Sequence, residues 1–217
     1  MTRRSYEQAC TLARTLDVVG ERWTLLLIRE LMLGPKRFTD LLDGLPGIGR
    51  NLLAARLRHL ETEGIVEKGQ LPPPAASQVY ELTEDGRALG PAMAELGRWG
   101  VERLDRPPRH YLFRPGWAVF PLAYMADTKA AIGVHETNEF RIDGEPFNLR
   151  VADGRVEPRA GPAHQPDLVV TMDAQTLREL FLEDLSAVEG LTSGRIAVEG
   201  APEVLGRAMA ILAGGPG

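Results

Sequence analysis

Lys36-Arg37-Phe38-Thr39-Asp40-Leu41-Leu42, the turn Pro46-Gly47-Ile48-Gly49, and Arg50-Asn51-Leu52-Leu53-Ala54-Ala55-Arg56-Leu57-Arg58-His59-Leu60-Glu61-Thr62-Glu63 form the stretch on which the reading of this chain turns. The first segment starts a short helix that Gly44 ends, and the last is a second helix capped by Gly64. Along the second helix Leu53, Leu57 and Leu60 recur at i, i+4 and i+7 and face a core. At about 100° per residue, Asn51, Ala55 and Arg58 then point away from that core, with Ala54 and His59 beside them. Two short helices joined by a glycine-containing turn, the second bearing spaced arginines, make a helix-turn-helix. Arg50 stands at the helix start, where a cationic side chain and free backbone N–H groups both reach a phosphate.

Working outward, Trp23 to Leu33 is apolar nearly all the way round, which places that helix in the middle of its domain, and Gly34-Pro35 stops it. Beyond Gly64, Ile65-Val66-Glu67-Lys68 and Gln78-Val79-Tyr80-Glu81-Leu82 read as two strands around the tip Leu71-Pro72-Pro73-Pro74-Ala75-Ala76. Strand, tip and strand form a wing beside the helices. Arg37, Thr39, Arg50, Asn51, Ala55, Arg56, Arg58 and Gln78 are therefore the candidate contacts to double-stranded DNA. Leu89, Met93 and Leu96 continue at helical spacing, with Trp99 and Leu104 beyond, for packing either on their own domain or on a second copy. Gly47-x-Gly49 is not a phosphate loop, because Leu52 stands where a third glycine belongs and no strand precedes it.

With 217 residues, 44% hydrophobic and 25% charged, the composition is that of a globular chain of one or two domains. The net charge of -5 is unevenly spread: residues 1–59 hold ten basic against six acidic side chains, residues 110–217 nine against fifteen. The tandem prolines of Asp105-Arg106-Pro107-Pro108-Arg109 separate the two fields, so the expected domains are 1–106 and 107–217. Pro115 to Ala126, as long as any uncharged run in the chain, is shorter than the about 20 apolar residues a membrane span needs. Arg3-Arg4 leads into Ser5-Tyr6-Glu7-Gln8 and not an apolar core, so no secretory signal is read and the expected location is the cytoplasm, with no membrane partner.

The acidic half begins with the aromatic stretch Pro115–Ala126, expected to be helical around Pro121. Phe140 to Ile142, Phe147 to Val151 and Val156 alternate apolar with polar, and Asp143-Gly144 and Asp153-Gly154 are hairpin turns. Leu168 to Met172 adds a strand, Asp173 caps a helix bearing Leu177, Leu180 and Phe181, Arg195 to Val198 is a last strand, and Ala201-Pro202 opens a helix with Leu205, Met209 and Leu212. The expected architecture is α+β: a winged helix followed by an antiparallel sheet with helices on one face. Such a sheet buries its apolar face either in an ordinary core or around a pocket.

The N-terminal residues resemble a known family. Cys10 to Trp23, Arg29-Glu30-Leu31, Gly34 to Phe38, Leu45-Pro46-Gly47-Ile48, Leu57 to Glu61 and Tyr80 to Thr83 look like the HxlR-type branch of the MarR-like winged-helix regulators, over roughly residues 5–105. The resemblance implies a dimeric, sequence-specific repressor or activator of transcription. Family members commonly carry Ser, Thr and Gln where this chain has Gly49, Ala54 and Ala55, which leaves fewer polar groups to read bases. It also implies that Cys10, near the dimer helices, is a candidate electrophile or redox sensor, with Arg14 one turn on to favour the thiolate; the alternative is an inert helix cysteine.

Pro166 to Met172, Leu191 to Gly200 and the closing helix Val204 to Leu212 resemble the sterol carrier protein family, best over residues 165–212. That resemblance implies an apolar tunnel for a hydrophobic small molecule, with Trp117, Phe120, Tyr124, Phe147, Leu149, Phe181, Met209 and Leu212 as candidate lining. Catalytic residues are not expected: His59, His110, His135 and His164 lie at no ligand spacing, and there is no Gly-x-Ser-x-Gly or HExxH. No cofactor or metal is expected, and one cysteine makes no internal disulfide. The reading is a homodimeric regulator that binds operator DNA and responds to an apolar effector; the alternative is a lipid-binding protein whose winged helix contacts proteins.

Overall fold

The computed structural model describes residues 5–72, 76–101, 111–182 and 184–212, the side chains of residues 101, 120 and 121 excepted. They form two compact units, Met1–Met93 and Ala94–Gly217. The proline linker expected between 1–106 and 107–217 lies in 102–110, outside the described residues, and the division falls earlier, inside a helix.

The first unit runs α1 (Thr11–Val19), α2 (Thr24–Met32), α3 (Phe38–Gly44), α4 (Arg50–Thr62), β1 (Val66–Gln70), β2 (Gln78–Leu82) and α5 (Glu84–Arg87), and ends in the first turn of α6 (Gly90–Val101). Leu27 and Ile28 of α2, Leu41 of α3, and Leu53, Leu57 and Leu60 of α4 meet with Leu45 and Leu82 as fully buried side chains. Each such burial is worth roughly 1.5–3 kcal/mol, which sets the helices around α2 as its apolar circumference requires. Gly64 follows α4 at a φ of 73°, a conformation an L side chain resists, and the Ile65 N–H turns back to the Leu60 carbonyl at 2.9 Å. The wing strands pair antiparallel, Val66 opposite Leu82 through Gln70 opposite Gln78. A third piece, absent from the sequence reading, joins them: Lys36 and Tyr80 exchange both backbone hydrogen bonds, at 3.0 and 2.8 Å. This bridge ties the wing to the entry of α3.

The second unit holds α7 (Pro115–Tyr124), β3 (His135–Ile142), β4 (Glu145–Ala152), β5 (Arg155–Ala160), β6 (Leu168–Met172), α8 (Ala174–Phe181), α9 (Ala187–Thr192), β7 (Ala197–Gly200) and α10 (Pro202–Leu212). Asp143-Gly144 and Asp153-Gly154 make the two hairpins, all four residues at positive φ, as the sequence suggests. The sheet is nevertheless mixed, in the order β5-β4-β3-β6-β7, because β6 lies parallel to β3. The antiparallel expectation fails at this one ladder. After β5 the chain crosses to the far side of β3 through residues 161–167, and two buried polar side chains hold that crossing down. Glu139 accepts the Ala163 N–H at 2.6 Å and Asn148 donates to the Gly161 carbonyl at 3.0 Å. Both point to the sheet face opposite the helices, where a buried polar group must find a partner.

Candidate DNA-reading face and apolar cavity

Helix α4 is enclosed on three sides. Leu53, Leu57 and Leu60 fill the core. On a second side the α1–α2 segment is bonded to it: Arg56 pairs with Glu21 at 2.8 Å and donates to the Arg22 carbonyl at 3.3 Å, the His59 ring meets the Val18 carbonyl at 3.0 Å, and Glu63 pairs with Arg14 at 2.7 Å. On a third, Lys68 of the wing pairs with Glu61 at 3.1 Å. The remaining sector carries Asn51, Ala55 and Arg58, with Ala54 at its edge. Arg50 and Arg58 are exposed and make no ion pair among the described residues. Gly49 supplies no side-chain cap, so the first N–H groups of α4 stay open. Arg37, Thr39 and Gln78 are likewise exposed, Arg37 and Thr39 at the start of α3 and Gln78 at the start of β2.

Two sequence assignments on this helix change. Arg56 is not a free cation: its guanidinium is spent on Glu21 and Arg22, which fixes α4 to the α1–α2 turn. His59, placed beside the outward face, is likewise drawn to α1. Cys10 is exposed, as the residue that precedes α1 and not as one packed within it. Arg14, expected to favour its thiolate, is paired instead with Glu63. Periodicity alone does not show which cation finds an acid, since that depends on segments more than thirty residues apart.

In the second unit the helices cover one face of the sheet unevenly. Helix α7 packs against β4 and β5, while α8, α9 and α10 stand off β3, β6 and β7 around a cavity of about 690 Å³. Its walls include Phe140, Ile142, Val170, Met172, Leu177, Leu180, Leu205 and Ile196, with Val119 and Leu122 from α7. Phe181, Met209 and Leu212 are also among its lining residues. Phe147 and Leu149 are not: they are buried on the same sheet face, but on the half that α7 covers. Trp117 and Tyr124 are also absent from the lining, on the side of α7 opposite Val119 and Leu122 at 100° per residue. The Phe120 side chain lies outside the described residues.

Two caps shape the cavity's helices. The Asp173 carboxylate accepts the Thr176 N–H at 2.6 Å, and Thr176 holds that carboxyl below its ordinary range. Ser186 and Glu189 form a reciprocal capping box at the start of α9, and the Ser186 hydroxyl keeps the Glu189 carboxyl low. Glu179 is lowered, and Arg195 raised, by their 2.6 Å ion pair. Among the described residues no group of three His, Cys, Asp or Glu is arranged to hold a metal ion, and no helix is long and apolar enough to cross a membrane.

Residues 18–107 match the model of the HxlR-like helix-turn-helix family, and residues 121–215 that of the alkyl sulfatase C-terminal domain. The uncharacterized HTH-type transcriptional regulator YvaP of Bacillus subtilis is 33% identical over 92 residues, which are 42% of this chain and 85% of that protein. The HTH-type transcriptional regulator YodB of the same bacterium is 42% identical over 83 residues, 38% of this chain and 74% of that protein. Among solved structures, the sec-alkylsulfatase Pisa1 from Pseudomonas sp. is 21% identical, with a TM-score of 0.41 over 46% of this chain and 16% of that enzyme. An open basic face on the second helix of a helix-turn-helix, a wing bridged to it, and relatives matched over most of their length lead to one conclusion: the chain belongs to the HxlR-like helix-turn-helix family and is a DNA-binding transcriptional regulator.

Proposed function

We propose that this regulator works as a homodimer on a pseudo-palindromic operator and that its C-terminal unit is a sterol-carrier-type module that receives a hydrophobic effector. The observation that carries the DNA reading is the closure of α4 on three sides, which leaves Asn51, Ala55 and Arg58 as the sector that faces DNA. Arg37, Arg50 and Arg58 supply phosphate contacts, with Thr39 and Gln78 flanking them. Large apolar side chains left in solvent support the dimer: Leu12 on α1 is 64% exposed, and on α6 Leu96 is 55% and Trp99 60% exposed. A two-fold axis then sets the two recognition helices about 34 Å apart. The cavity supports the effector reading, since its volume lies in the roughly 300–1,000 Å³ range of small-molecule sites. A ligand there changes DNA affinity only by the difference in its affinity for the bound and free forms of the protein. Cys10 is a further proposed input, carried by its exposure; alkylation of that thiol with N-ethylmaleimide should then change operator affinity, and unchanged affinity on complete alkylation refutes it.

Capture of genomic fragments by the purified protein, followed by titration of the best fragment at two salt concentrations, tests the central reading. A two-fold-related site whose affinity falls as salt rises is the expected result. No enrichment over random DNA overturns the operator assignment and favours a winged helix that contacts protein.

A further inference from the structure

The cavity has a chemical preference as well as a volume. Among the described residues that line it, Ser186 and Glu189 are the polar ones with the exception of backbone, and no lysine, arginine or histidine appears. The cations on the surrounding elements are engaged elsewhere: Arg195 with Glu179 at 2.6 Å and Arg207 with Glu136, while Arg178 is not part of the lining. The N–H groups at the start of α9 offer an anion little, because the capping box closes them; the Glu189 N–H donates to the Ser186 hydroxyl at 3.2 Å. Within that box a single oxygen of Glu189, Oε2, accepts both from the Ser186 N–H at 2.9 Å and from its hydroxyl at 2.7 Å. The second oxygen, Oε1, remains without a hydrogen bond among the described residues, on an exposed carboxylate at the cavity wall.

Resting on the reading of this cavity as an effector site, we propose that it takes an amphiphile with an apolar tail and a hydrogen-bond-donating head that is uncharged or cationic, an alcohol or an amine, bound at Glu189. Carboxylate and sulfate heads on the same tail are rejected. An anionic head drawn inside loses its hydration, and no cation among the described lining residues replaces it. One that stays at the mouth meets the like charge of Glu189. An alcohol instead donates to the open carboxylate oxygen, and an ammonium adds charge to that bond.

The test is isothermal titration of the full-length protein at neutral pH with 1-decanol, decylamine, decanoate and decyl sulfate, each below its micellar concentration. Decanol and decylamine should bind at one site, each displacing the other. Decanoate and decyl sulfate should bind about tenfold or more weakly, the scale of one like charge near a protein surface. Glu189→Gln should abolish the advantage of decylamine over decanol and narrow the gap to decanoate; if that variant fails to fold, the ranking of the four probes on the unaltered protein decides alone. Decanoate as tight as decanol overturns the head-group inference and leaves the effector site standing. Binding of none of the four overturns both.

Discussion

Two arginines on one helix, two residues apart, should respond to salt in different ways. Arg58 faces outward without an ion pair among the described residues, whereas Arg56 is held by Glu21 at 2.8 Å with its side chain 18% exposed. Each phosphate neutralised by a protein cation contributes about -0.9 to the slope of log K against log salt. In a dimer Arg58→Ala removes two such contacts, so the slope should become shallower by about 1.8, and the loss of affinity between 50 and 200 mM salt should shrink by about tenfold. Arg56→Ala should leave the slope unchanged. Its effect should be a modest weakening at every salt concentration, since the pair it breaks lies partly in solvent and is worth roughly 1 kcal/mol or less. Fluorescence anisotropy with a labelled operator fragment at four salt concentrations measures both slopes. Equal slopes for the two variants, or an Arg58→Ala slope equal to that of the parent, would refute the assignment of α4's open sector to DNA.

Other consequences are equally direct. Leu57→Ala, which empties a fully buried position where α4 meets the core, should cost about 2–5 kcal/mol and lower the unfolding temperature accordingly in a thermal melt. Gly86→Ala places a methyl group 2.2 Å from the Ile65 carbonyl oxygen and should cost roughly 1–3 kcal/mol by the same measurement; a neutral result would show that the β2–α5 junction yields freely. Leu96→Glu on α6 should shift the protein toward monomer in sedimentation velocity and weaken operator binding together, whereas an unchanged dimer would locate the interface elsewhere. Because Asp173, Glu179 and Glu189 all titrate below their ordinary values, the stability they add is present above the normal carboxylate range and is lost as pH falls through their lowered values. Denaturant unfolding of the whole protein from neutral pH to below the normal carboxylate range should therefore show falling stability, less steeply in Glu179→Gln; stability that holds or rises on acidification would contradict the sign.

The leucine spacing at 53, 57 and 60, the breaker Gly34-Pro35 and the cap at Gly64 were enough to define the helix-turn-helix, because each is a local consequence of helix periodicity or of backbone freedom. The same holds for the hairpins at Asp143-Gly144 and Asp153-Gly154 and for the cap at Asp173. Such signals lie within a few residues of the structure they cause. By contrast, the pairing of Arg56 with Glu21, of Arg14 with Glu63, and of Lys36 with Tyr80 joins segments distant in sequence. No period in the chain announces which acid or strand each will meet.

The C-terminal unit separates the two kinds of information most clearly. Alternation along β3, β4 and β6 determined that one face of a sheet is apolar, with Phe147 and Leu149 on it, and helical spacing determined that Phe181, Met209 and Leu212 lie on the apolar faces of their helices. It is the tertiary structure that decided which half of that face is sealed and which is hollow. Helix α7 fills the space over β4 and β5, and the crossing of residues 161–167 places β6 beside β3, where α8, α9 and α10 leave the cavity. Sequence determines the polarity of each face because polarity belongs to single side chains; filling is a property of how separate elements fit together, and it exists only once they have met.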